Sequence, residues 1–111
     1  MHLALDVRGT KGFDQPQVVS DLILNIVRLL DLDLVFLHVQ EFPNGSSYGP
    51  GISGIAIIKE SHICIHTAPE KNLIQLCVHS CNDFDYVGLR DLVAKAFGAE
   101  EMPTVEQVLA R

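Results

Sequence analysis

The segment Glu60-Ser61-His62-Ile63-Cys64-Ile65-His66-Thr67 packs a hydroxyl, two imidazoles and a thiol into one short run whose β-branched residues and period-two pattern predict a strand. Side chains alternate faces along a strand, so His62, Cys64 and His66 share one face while Ser61 begins the other. A second strand-like run, Leu76-Cys77-Val78-His79-Ser80-Cys81, carries thiols and an imidazole at the same two-residue spacing. Three chemistries draw on such groups. A serine hydrolase needs its nucleophile on an exposed turn and a base oriented by a carboxylate, and the chain has no Gly-x-Ser-x-Gly elbow. A zinc site has the right ligand types in His62, Cys64, His66, Cys77, His79 and Cys81, although neighbours on one face of a strand stand nearly 7 Å apart, so such a site must bridge two strands. In the third, self-processing, a serine hydroxyl attacks the peptide carbonyl that precedes it.

The elements that must position these groups follow from patterning. His2 to Arg8 alternates as a half-buried strand and ends in the turn residues Gly9, Thr10 and Gly12. A helix follows, with Asp14 as its expected N-cap, Gln17 three residues on, Pro16 in the first turn, and Val19, Leu22, Ile23, Ile26, Val27 and Leu30 as its apolar stripe. Leu34 to Phe42 predicts a strand, and Pro43 to Gly51 a loop. Strands are expected over Ile52 to Lys59, Ser61 to Thr67 and Leu73 to Ser80, with Pro69 closing the second of these. Asp85 caps a second helix whose Leu89, Leu92, Val93 and Ala96 share a face, and Gly98 ends it. The tail from Met102 to Arg111 carries no decisive pattern. Short links between successive strands predict an α+β two-layer sandwich: a mainly antiparallel sheet with both helices on one face.

At 111 residues the chain is expected to form one domain, residues 1–111, with a single core. An apolar content of 48% and a charged content of 20% exclude a disordered chain. A formal net charge of -6, with only 8 Lys and Arg and no basic cluster, argues against a nucleic-acid partner and favours a cationic ligand. Asp6 and Arg8 interrupt the first apolar segment, so no cleavable signal is expected. Asn25, Arg28, Asp31 and Asp33 break the longest apolar region, so no membrane span is expected either. Three cysteines, an odd number, fit reduced thiols and a cytoplasmic location.

Gly51-Ile52-Ser53-Gly54, the run from Glu60-Ser61-His62 through Ile65-His66-Thr67-Ala68-Pro69-Glu70, and Ser80-Cys81 together resemble the S-adenosylmethionine decarboxylase family in its short prokaryotic form, over nearly the whole chain. The resemblance implies a proenzyme that cuts itself between Glu60 and Ser61. The product would be residues 1–60 as one subunit and 61–111 as another, the latter beginning with a pyruvoyl group made from Ser61. Such a ketone forms a Schiff base with a substrate amine and accepts the electrons released with carbon dioxide, so no external cofactor or metal is implied.

By the same resemblance, His66 is the base that completes processing, Ser53 positions the precursor ester, and Cys81 protonates the substrate carbon after carbon dioxide leaves. A thiol of ordinary pKa about 8.5 is mostly protonated at neutral pH and suits that task. Glu70 matches the residue that holds the ribose hydroxyls and Phe42 an aromatic that stacks on adenine. The implied reaction makes decarboxylated S-adenosylmethionine for spermidine synthesis, carried out by a homodimer of processed protomers.

Several departures border the expected pocket and none touches the processing residues. Ala68 stands where an aromatic is usual, the Pro43–Pro50 loop is longer than usual, and Lys71-Asn72-Leu73 replaces an aromatic, glycine-containing segment. Cys77 stands where an acidic residue is common, and Asn82 follows Cys81 in place of glycine. A lost aromatic wall forfeits about 0.5–1.5 kcal/mol of stacking, for which Tyr48 is a candidate replacement. These changes leave a smaller amino acid, arginine or ornithine, as an alternative substrate. A catalytically silent zinc module and an uncut partner protein are the further alternatives. His2, His38 and His79 are expected to be structural, and Cys64 and Cys77 to behave as small buried hydrophobes.

Overall fold

The computed structural model describes residues 1–12, 14–46, 49–101 and 104–109, and the side chains of all of these except 44–46, 49 and 104–108. Strand β1 (His2–Arg8) leads to helix α1 (Pro16–Leu29), then β2 (Leu34–Ser46), β3 (Gly49–Ile58), β4 (Ser61–Ala68), a 3-10 turn at Pro69–Lys71, β5 (Leu73–His79), helix α2 (Tyr86–Ala96) and β6 (Thr104–Leu109). The strands form one sheet in the order β2-β3-β4-β5-β1-β6, and every neighbouring pair is antiparallel. This is the α+β sandwich the sequence predicts. The outer β6 settles the undecided tail, whose residues 102–103 and 110–111 lie outside the described residues, as does Tyr48.

Register divides the sheet into a core face and an open face. Rows Leu3–Val78–Ile63–Ala56, Leu5–Leu76–Ile65–Gly54 and Val7–Ile74–Thr67–Ile52 run across four strands, and their apolar members are buried. Val19, Leu22, Ile23 and Ile26 of α1, Leu89 and Val93 of α2, and Phe97 complete one core with them. A Cβ at Gly54 would come within 2.8 Å of Val19 Cγ1 and 2.9 Å of Ile23 Cδ1, so this glycine lets α1 lie close on β3.

Two boundaries and one placement correct the sequence reading. Gln15, not Asp14, is the N-cap of α1, with φ -115° and no capping side chain. A residue before proline is held extended, and Pro16 then takes the first helical position, where its missing N–H costs nothing. Pairing also continues past Phe42 into the region expected to be loop, through Phe42↔Gly51 and, after a register shift, Ser46↔Gly49. Because β2 is an edge strand, Pro43 is tolerated there. Cys64 and Cys77 are half-buried on the open face, outside the core, because their strand parity opposes that of Ile63, Ile65, Leu76 and Val78. The α2 signals hold as read: the Gly88 N–H donates to Asp85 Oδ1 at 2.9 Å, and Gly98, at φ +60°, follows the helix.

Candidate active site

The hairpin turn at Lys59 and Glu60 joins β3 to β4, with Ile58 and Ser61 as its closing pair. Glu60 adopts φ +65°, a left-handed conformation uncommon for a side chain other than glycine, asparagine or aspartate. The Glu60–Ser61 peptide bond thus begins at a strained residue. Cys81, just beyond β5, meets this bond from the neighbouring strand: its thiol donates to the Glu60 carbonyl oxygen at 2.9 Å, and its backbone N–H donates to Ser61 Oγ at 3.3 Å. Nucleophile, carbonyl and thiol are in one cluster.

His66 belongs to a second cluster. It pairs with Ser53 across β3 and β4, and Ser53 Oγ shares a 2.9 Å hydrogen bond with its Nδ1. With the proton on Nδ1, Nε2 keeps its lone pair and can act as a base. Alongside lies an unusual junction in the ladder, where the Ile52 N–H donates to the buried side chain of Thr67, Oγ1 at 3.0 Å. A Cβ at Gly51 would stand 2.6 Å from the Thr67 carbonyl oxygen, so the backbones approach closely where the pair is held. Phe42, paired with Gly51 and 47% exposed, and Glu70, exposed in the 3-10 turn after β4, lie at this same end.

The two clusters are separate in one chain. At roughly 3.3 Å of rise per residue, His66 sits about 16 Å along β4 from Ser61, with its side chain on the opposite pleat. The structure therefore joins Glu60, Ser61 and Cys81, and separately gathers Ser53, His66, Phe42 and Glu70. The sequence named all seven but showed neither the division nor two supporting features. The left-handed Glu60 has no sequence signal beyond its place between two strands, and the Thr67 bond is visible only as a polar residue in an apolar row.

Between the clusters, the open face carries His2–His79–His62 in one row and Ala4–Cys77–Cys64 in the next. Among the described residues no group of three or more His, Cys, Asp and Glu is arranged to hold a metal ion, so the zinc reading gains no support. Burial raises the pKa of Cys64 and Cys77 above the ordinary thiol value, and a thiolate at Cys64 would raise Cys77 further. Phe36, Phe42, Ile55 and Ile57 leave this face substantially apolar and exposed. A groove of about 550 Å³ between α1 and α2, lined by Arg28, Leu29 and Leu92 among others, contains none of the candidate residues. Among the described residues no helix is long and apolar enough to cross a membrane.

Sheet, helices and clusters place the chain among two-layer α+β sandwich proteins that carry a serine at a strained hairpin. The family model described as S-adenosylmethionine decarboxylase matches residues 1–108, and the chain belongs to that family. It is 39% identical over 56 residues to the S-adenosylmethionine decarboxylase proenzyme of Anoxybacillus flavithermus, a match covering 50% of this chain and 45% of that protein. The chain thus spans about half the length of such relatives. Against the proenzyme of Clostridium botulinum strain Hall the identity is 33% over 84 residues, covering 73% of this chain and 67% of the relative. The crystal structure of the adenosylmethionine decarboxylase from Aquifex aeolicus superposes with a TM-score of 0.75 at 22% identity, covering 99% of this chain and 91% of that one. That likeness supports the fold.

Proposed function

We propose that this chain is a self-processing, pyruvoyl-dependent decarboxylase of S-adenosylmethionine that works as a homodimer with sites shared between two copies. The observation that carries the reading is the contact of Cys81 with both Ser61 and the Glu60 carbonyl. Ser61 Oγ attacks the Glu60 carbonyl carbon, and the peptide becomes an ester as the amine is released. Charge building on the carbonyl oxygen meets the Cys81 thiol, a preorganised donor. A base then removes the α-proton of residue 61, the ester leaves as the Glu60 carboxylate, and hydrolysis releases ammonia and leaves the ketone. A pyruvoyl group at residue 61 supplies an electron-accepting ketone for decarboxylation of an amine-bearing acid.

The base is His66, oriented by Ser53, but His66 of the same chain is about 16 Å too far along β4. A second copy resolves the mismatch. Two sheets stack about 10 Å apart when their faces pack, and the exposed Phe36, Ile55 and Ile57 make the open face an apolar surface for such packing. A two-fold axis that reverses the strand direction sets the Ser61 end of one copy over the His66 end of the other. Each site then draws Ser61 and Cys81 from one chain and Ser53, His66, Phe42 and Glu70 from its partner, with Glu70 and Phe42 taking the ribose and adenine.

Co-expression of Ser61→Ala and His66→Ala chains tests this reading. Neither cuts alone; in the mixture the His66→Ala chain is expected to be cut, using the partner's base. Cutting of His66→Ala alone, or none in a mixture shown to dimerise, overturns the shared site. Carbon dioxide release from the cut protein, offered S-adenosylmethionine, arginine and ornithine in parallel, tests the substrate. Release from S-adenosylmethionine alone is expected, and release from an amino acid alone overturns that choice.

A further inference from the structure

On the open face, Cys64 and Cys77 stand directly opposite each other on β4 and β5, and His2 Nε2 lies 3.0 Å from Cys77 Sγ. Neither thiol belongs to the clusters described above, and both are free and half-buried. We propose that Cys64 and Cys77 form a peroxide-sensitive dithiol, a modification site in which His2 activates Cys77 and Cys64 closes a cross-strand disulfide.

Geometry supports the pairing. Opposed residues of an antiparallel ladder have Cα separations of about 4.5 or 5.5 Å, depending on the pair type. Both fall inside the range of about 4.4–6.8 Å that a disulfide spans. Burial works against thiolate formation at both residues, so a neighbouring proton acceptor decides which one reacts. In the tautomer whose Nε2 carries no proton, His2 is that acceptor for Cys77.

The chemistry balances with hydrogen peroxide as oxidant. His2 takes the Cys77 proton; the thiolate sulfur attacks a peroxide oxygen, the O–O bond breaks, and the leaving oxygen departs as water, giving a sulfenic acid. The Cys64 sulfur then attacks that sulfur, the S–S bond forms, the S–O bond breaks, and a second water leaves. Two thiols lose two electrons and one peroxide gains them.

The reaction needs neither self-cleavage nor a partner, and packing of two open faces covers the pair, so it is a property of the unpaired chain and is tested on dilute Ser61→Ala precursor alongside wild-type protein. Each is treated with limiting hydrogen peroxide, alkylated, digested and mapped by mass spectrometry. The expected product is peptide 60–71 of the uncut chain, or its pyruvoyl-capped 61–71 counterpart in the cut chain, joined to peptide 72–90, two hydrogens lighter than their sum, with fragmentation assigning the bond to Cys64 and Cys77 and with dithiothreitol reversing it. Absence of this product from both proteins, a bond to Cys81 in its place, or a link only between two chains overturns the proposal. His2→Gln is expected to slow formation by about fivefold or more, because it removes the proton acceptor. An unchanged rate overturns the role of His2. Cutting of the wild-type chain is scored separately, so failure of the dithiol and failure of the proposed processing are read independently.

Discussion

The thiol of Cys81 donates to the carbonyl oxygen of Glu60 at 2.9 Å across the β4–β5 end of the sheet, while Glu60 itself is held at φ +65°. One contact thus joins the strained bond to the residue expected to serve as a proton donor to substrate. A donor already aimed at that oxygen needs no rearrangement as charge develops there.

Cys81 is therefore expected to act twice. Because S–H is a weak donor, Cys81→Ala is expected to slow self-cleavage only about tenfold, less than the loss of a strong oxyanion-hole donor costs. Cys81→Ser keeps a donor and is expected to cut at close to the wild-type rate. Its hydroxyl is a far weaker acid than a thiol, so carbon dioxide release should fall more than cutting does. Gel time courses of the precursor, followed by gas release from the cut fraction, separate the two steps. Equal losses in both for Cys81→Ser would remove the second role.

Glu60 offers a test of strain. A left-handed residue with a side chain costs of order 1–3 kcal/mol, and glycine adopts the same φ without that cost. Part of the gain is lost because glycine also loosens the unfolded chain. In the Ser61→Ala background, Glu60→Gly is expected to raise the unfolding free energy by about 1 kcal/mol, read from urea midpoints at constant m-value. In the Ser61 chain it should slow cutting by relaxing the bond that breaks. Faster cutting would show that the strain plays no part in processing.

Most of the fold could be read from the sequence because its signals are local. Leu3, Leu5 and Val7 alternate, Val19, Leu22, Ile23 and Ile26 recur at helical spacing, and both patterns became the core. The α1 start moved by one residue because proline constrains the residue before it more strongly than Asp14 favours capping. What stayed hidden is non-local. Strand order and the Ser53↔His66 register depend on pairings between distant segments, which no short window contains. Strand parity already set Ser61 and His66 on opposite faces, yet the resemblance grouped them by role, and only the rise along β4 shows that one chain cannot bring them together.

The raised thiols make stability depend on alkaline pH. Above the ordinary thiol pKa of about 8.5, the unfolded chain releases the protons of Cys64 and Cys77 while the folded chain still holds them. The unfolded state then binds fewer protons, so stability falls as pH rises. The stability from these two groups is whole below the ordinary thiol pKa of about 8.5 and is lost as pH climbs through the raised folded values. Both side chains are only half-buried, so the slope should be shallow. Urea unfolding between pH 8 and 10.5 is expected to show this decline in the wild type and a smaller one in Cys64→Ala/Cys77→Ala. An identical slope in the two proteins would assign it to other groups.

Thr67 connects stability to the second cluster. Its side chain takes the Ile52 N–H in a buried position, next to the pair that carries Ser53 and His66. Thr67→Val keeps the shape and removes the acceptor, leaving a buried donor unsatisfied at about 1–3 kcal/mol. The end of the β3–β4 ladder should then loosen, and the His66–Ser53 bond with it. Cutting is expected to slow at the elimination step, so an ester precursor should accumulate that hydroxylamine cleaves. Thr67→Ser restores an acceptor at the same atom and should recover both stability and cutting, apart from the cost of one lost methyl group. A merely structural role would lower stability without accumulation of ester. Denaturant unfolding with a hydroxylamine-quenched time course therefore separates a residue that holds the base in place from one that only fills the core.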